Sequence, residues 1–141
     1  MRWDIFCQIV DNYGDAGVCW RLARALSRLS NTSNHDDIRI RLFCDDLSIL
    51  NTIAHGDAIG YGATLGIEVL PWSAAESTEV LNSIGDVVIE AFACHLPESY
   101  VTAMTNRSVA PTWINLEYLT AEKEKRPRQL GLFLFGARGR N

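Results

Sequence analysis

Trp3-Asp4-Ile5-Phe6-Cys7-Gln8-Ile9-Val10 runs directly into Asp11-Asn12-Tyr13-Gly14-Asp15-Ala16-Gly17, and then into Val18, Leu22, Leu26 and Leu29 at helical spacing. A short apolar run, a turn and an amphipathic repeat form the opening strand–turn–helix of an α/β domain. Arg21, Arg24 and Arg28 fall on the other side of the helical repeat. The turn stands at the carboxyl end of the first strand, where open α/β sheets place ligands and chemistry. A phosphate-cradling turn is rich in glycine and free of acid. This one carries Asp11 and Asp15 beside Gly14 and Gly17, and it lacks the Gly-x-Gly-x-x-Gly dinucleotide pattern. Two carboxylates there suit base chemistry or a cationic substrate better than a bound pyrophosphate.

Outward from that stretch, strand and helix alternate. Ile38–Cys44 reads as a second strand, and Asp45-Asp46 opens a short helix running through Ile53. Gly56, Gly60, Gly62 and Gly66 mark a loop before a third strand, Ile67–Leu70, which Pro71 closes. Residues 73–84 read as one helix with an acidic face. Asp86–Phe92 is a fourth strand buried on both faces, Pro97–Met104 a helix, and Thr112–Glu117 a fifth strand. Right-handed crossovers between parallel strands then give an α/β fold, a Rossmann-like parallel sheet flanked by helices in the order 3-2-1-4-5. In that order strands one, four and five are neighbours. Asp11, Asp15, Glu90 and Glu117 are therefore expected to face one crevice at their carboxyl ends.

The chain has 141 residues, enough for about one domain. No apolar run reaches the roughly eighteen residues of a membrane span, and the start lacks the pattern of a signal peptide, so a soluble cytoplasmic protein is expected. Cys7, Cys19, Cys44 and Cys94 are scattered through apolar segments without a Cys-x-x-Cys pair, as expected of buried reduced thiols. His35, His55 and His95 are too dispersed for a metal site, and Asp11/Asp15 is not an Asp-x-Asp pair; no metal is expected. Residues 1–120 hold seven Lys/Arg against fifteen Asp/Glu, a balance of −8, whereas residues 121–141 hold six against two, a balance of +4. An acidic body disfavours nucleic acid as a partner. The charge break near Ala121 coincides with the loss of a clear α/β pattern.

Each candidate has a structural alternative. Asp15 suits a helix start, where a carboxylate meets unpaired N–H groups, and Asp11 suits an Asx turn. Glu90 interrupts an apolar strand and is expected to be structural, bonding N–H groups of a nearby loop, because an unpartnered buried carboxylate is costly. Glu117 stays open between structure and function, with Asn115 and Tyr118 at the same strand end. Trp20 is expected in the core.

Three blocks resemble one family. They are Trp3-Asp4-Ile5-Phe6-Cys7 through Asp11-Asn12-Tyr13-Gly14-Asp15 into Trp20-Arg21-Leu22-Ala23-Arg24, then Val87 to Cys94, then Asn115-Leu116-Glu117-Tyr118-Leu119. In this order they resemble the amino-terminal domain of the EarP family, protein-arginine rhamnosyltransferases of elongation factor P. The resemblance spans about residues 3 to 122. It implies the amino-terminal half of an inverting GT-B glycosyltransferase of the bacterial cytoplasm, moving rhamnose from TDP-β-L-rhamnose to an arginine of elongation factor P. No cofactor is implied. The nucleotide sugar would lie mainly on a second domain, and this domain would face the acceptor protein.

By the same resemblance the catalytic aspartates map onto Asp15, the general-base candidate, and Asp11, which helps hold the arginine. Asn12, Tyr13, Asn115, Glu117 and Tyr118 are then the candidate acceptor contacts, with Gly14, Gly17 and Glu90 structural at the site. Residues 1–122 are expected to form the acceptor-side domain. Residues 123–141 are expected to be a basic, apolar tail unlike the family, standing where the donor-binding domain should follow. This polypeptide would then have little activity alone. A non-catalytic α/β module that binds elongation factor P is the alternative, and a small acidic-site hydrolase a weaker third.

Overall fold

The computed structural model describes residues 1–10, 13–32, 37–117 and 131–134. Asp11, Asn12, His35 and Tyr118 lie outside the described residues. In chain order the elements are β1 (Arg2–Cys7), α1 (Tyr13–Thr32), β2 (Arg39–Cys44), α2 (Leu47–Ile53), α3 (Ala58–Thr64), β3 (Ile67–Pro71), a 3-10 turn (Trp72–Glu76), α4 (Thr78–Leu81), β4 (Val87–Ala91), α5 (Glu98–Thr105), β5 (Thr112–Glu117) and β6 (Gly131–Leu134). The first five strands are parallel in the expected order, β3-β2-β1-β4-β5, and β6 adds an antiparallel edge to β5.

Alternation along each strand divides the core in two. On the front face, Ile5, Cys7, Leu42, Ile89 and Leu116 pack with Cys19, Trp20 and Ala23 of α1 and with residues of α2 and α3. Trp20 is a core residue, as its apolar neighbours imply. On the back face, Phe6, Phe43, Val88 and Trp113 meet Val80, Tyr100 and Met104. Phe6 stacks on Phe43 and meets Tyr100 edge-on, each at 4.7 Å between ring centroids. Helices on both faces bury β4 from both sides, which its continuous apolar run requires.

Three local expectations are corrected. First, the glycine-marked stretch 56–66 is not all loop, because it contains α3. Asp57 starts that helix by accepting from the Gly60 N–H at 3.0 Å, and the small residues let it lie close on β3. A Cβ on Gly62 would stand 2.9 Å from both the Ile67 carbonyl oxygen and Val69 Cγ2. Second, residues 73–84 are not one helix. Ser77, extended at φ −71° and ψ 152°, separates the 3-10 turn from α4 and caps α4 through its Oγ on the Val80 N–H. A serine that bonds local backbone stops one helix and starts another. Third, the region after Ala121, which shows no α/β pattern in sequence, supplies β6.

A buried polar cluster crosses the back face. Arg41 of β2 donates to both carboxylate oxygens of Asp4 in β1, at 2.7 and 2.8 Å, and to the Ser83 carbonyl at 2.6 Å. The Tyr100 hydroxyl of α5 also donates to Asp4, and so does the Gly85 N–H at 3.0 Å. Burial works against the Arg41 charge, yet the Asp4 carboxylate holds its pKa above the ordinary value. Tyr100 is pushed up by burial and then by Asp4. Asp4 and Arg41 are read from sequence only as strand residues, because their pairing requires the β1–β2 register that sets Asp4 beside Arg41.

Candidate functional site

β1 ends at Cys7, and the chain leaves it over Gln8–Val10 toward Asp11. Two consecutive N–H groups of this exit are held by carboxylates. Ile9 N–H donates to Asp45 Oδ1 at 2.8 Å, and Val10 N–H donates to Asp15 Oδ2 at 2.9 Å. Asp15 lies in the first turn of α1 and is 2% exposed. The helix-start expectation for Asp15 therefore holds, but its bond to Val10 reaches back to the strand exit and ties the start of α1 to the end of β1. Tyr13 begins α1 and is exposed, while Gly14 and Gly17 lie within its first turns, Gly14 exposed and Gly17 buried.

Asp45 was read only as part of a helix start. Its neighbour Asp46 takes that role, accepting from the Ser48 and Ile49 N–H groups. A doubled acid where one cap suffices is the signal that could have marked Asp45 as spare for another partner.

Glu90 bonds the loop that follows its strand, as expected of a carboxylate in an apolar strand. Its Oε1 accepts from Trp113 Nε1 at 3.1 Å and its Oε2 from the His95 N–H at 3.2 Å. The turn it holds is strained, with Phe92, Ala93 and His95 at φ 55°, 55° and 56°. Non-glycine residues in the left-handed region each cost about 1–2 kcal/mol and persist only where surroundings hold them. The Phe92 N–H bond to the Leu116 carbonyl, 2.6 Å, and the Cys94 thiol on the Phe6 carbonyl, 3.6 Å, supply further ties. Sequence gives no sign of this strain, since none of the three residues is a glycine or asparagine.

Glu90 stands in register with Asn115. Asn115 Nδ2 donates to Glu117 Oε2 at 3.0 Å, while its Oδ1 is buried with no hydrogen-bond partner among the described residues. The structure thus gathers Glu90, Asn115 and Glu117 on the back face at the carboxyl end of β4 and β5. Asp15 comes from α1, the helix layer of the front face. Of the expected set, Asp15, Glu90 and Glu117 share one sheet edge but are drawn from opposite layers, and Asp11 lies outside the described residues.

Cys7, Cys19 and Cys44 share the front core, and all four cysteines are free and buried. Among the described residues, no group of three or more His, Cys, Asp and Glu is arranged to hold a metal ion. His55 and His95 are exposed. An open depression of about 900 Å³ lies at the amino-terminal edge of β4 and β5, lined by Asn82, Ser83, Thr102 and Arg107 among others. It is at the far end of the strands from Asp15 and Glu117. No described helix is long and apolar enough to cross a membrane.

A family model described as elongation factor P rhamnosyltransferase EarP matches residues 3–126. A protein-arginine rhamnosyltransferase of Pseudomonas putida is 47% identical over 122 residues, covering 85% of this chain and 30% of the relative. Proteins of the same name from Pseudomonas aeruginosa and Neisseria meningitidis serogroup B are 43% and 39% identical over 123 residues each, covering 30% and 29% of their own lengths. The chain spans about 30% of the length of these curated relatives.

Proposed function

Because the chain belongs to the EarP family of elongation factor P rhamnosyltransferases, we propose that it forms the acceptor-side, amino-terminal part of a GT-B enzyme that transfers rhamnose from TDP-β-L-rhamnose to an arginine of elongation factor P in the bacterial cytoplasm. One observation carries the reading. A buried carboxylate, Asp15, is fixed at the carboxyl edge of the sheet by the backbone that leads into Asp11.

The chemistry needs such a pair. A guanidinium is charged at any ordinary pH and is a weak nucleophile while its electrons are delocalised. Asp11 would pin its N–H groups by charge-assisted hydrogen bonds. As the terminal nitrogen forms its bond to the anomeric carbon, the bond from that carbon to the TDP oxygen breaks, its electron pair leaving with TDP. Asp15 takes the proton that nitrogen sheds. Attack opposite the leaving group inverts the anomeric centre. Asn115 and Glu117, whose acceptor oxygens line the neighbouring strand end, would contact the acceptor protein beside Asn12, Tyr13 and Tyr118. Donor contacts fall to the larger share of the relatives' length.

The test is intact-mass analysis of elongation factor P incubated with this chain and TDP-β-L-rhamnose, with and without the separately produced remainder of the Pseudomonas putida relative. No shift is expected from the chain alone, and a single deoxyhexose with the remainder present. Asp15→Asn is expected to slow that reaction by at least about 100-fold, the usual contribution of a general base. Undiminished turnover in Asp15→Asn would overturn the assignment. Saturable binding of elongation factor P with no transfer in any mixture would favour the binding module instead.

A further inference from the structure

β5 has the makings of an adhesive edge. Thr112–Glu117 carries Trp113, Ile114 and Leu116, has no proline or lysine, and keeps its single charge for the last position. Those are the devices by which edge strands avoid pairing with other chains. An apolar slot of about 290 Å³ runs between Val18, Leu22 and Leu26 of α1 and Ile89, Ile114 and Leu116 of the sheet.

What pairs with this edge is the chain's own tail. β6 runs antiparallel to β5, with Leu134 opposite Ile114, Phe133 opposite Asn115, Leu132 opposite Leu116 and Gly131 opposite Glu117. The family match ends at residue 126, so β6 lies outside it. Charge favours the same occupant, since the tail's balance of +4 meets a body of −8.

We propose that the outer edge of β5 is a strand-addition site, that residues 131–134 occupy it within the same chain, and that the partner they exclude is a second copy of this chain pairing edge to edge. Strand addition draws its affinity from main-chain hydrogen bonds, so a four-residue strand suffices to deny those groups to a neighbour. Transfer activity plays no part in the proposal.

Sedimentation of the intact chain and of a chain ending at Glu117 tests it. The intact chain is expected to be monomeric, and the shortened one at least to double its mass with rising concentration. A synthetic peptide of residues 127–138 is expected to return the shortened chain to monomer. A shortened chain that stays folded and monomeric at the same concentrations would overturn the proposal. If the shortened chain does not fold, the intact chain carrying Asn115→Cys and Phe133→Cys decides. Paired Cα positions lie within disulfide reach, so oxidation is expected to give a closed monomer. Absence of that bond, or a disulfide-linked dimer, would overturn it.

Discussion

At the residue scale, Asp15 joins the first helix to the first strand. Its bond to the Val10 N–H ties α1 to the exit of β1, and under the proposed function its burial would hold the carboxylate in a fixed direction toward the acceptor. The cysteines show the opposite case, residues whose reactivity is withdrawn by packing. Cys7 is pushed up chiefly by Cys19, Cys44 chiefly by Cys7, and Cys94 by burial, to about 12. Thiolates are the reactive form, so the native chain at pH 8 should resist alkylation. Mass spectrometry after iodoacetamide should find no adduct on the folded chain and four after denaturation. The sign of the pH effect follows from linkage. These folded pKa values exceed the unfolded value of about 8.5, so the stability they contribute is complete below that pH and is lost as pH rises beyond it. Denaturation midpoints should be level to about pH 8 and fall above it.

At the scale of elements, α3 is the instructive departure. Glycines at 56, 60, 62 and 66 lower helix propensity, yet the segment Ala58–Thr64 is helical. Tertiary packing outweighs propensity here because the glycine at 62 admits the β3 backbone. Gly62→Ala would therefore destabilise despite alanine's better propensity. The blocking atoms include a carbonyl oxygen at 2.9 Å, which cannot rotate away. Overpacking of this kind costs about 1–3 kcal/mol. A lower urea midpoint at unchanged slope would bear this out, and an unchanged midpoint would show that α3 can slide on β3.

At the scale of the whole molecule, the Asp4–Arg41–Tyr100 cluster ties β1, β2, α5 and the turn before β4 into one body. Breaking one partner of a buried pair leaves the other uncompensated, at about 3–5 kcal/mol. Arg41→Met should show that loss in urea unfolding, with much of it recovered when Asp4→Leu is added; a loss below about 1 kcal/mol would mean that Ser83 and Tyr100 suffice without Arg41. The strand order, the strand-to-helix turn and the placing of Asp15 at a helix start were legible in the sequence. So were the buried cysteines and the structural part of Glu90. These rest on local periodicity and on the rule that a lone acid in an apolar strand must find a partner. Only the tertiary structure decided which partners: Asp45 on Ile9, Trp113 and His95 on Glu90, Arg41 on Asp4, and a tail strand on β5. All but His95 on Glu90 join residues far apart in the chain. Their pairing depends on strand register and layer, which no local pattern of residue types specifies.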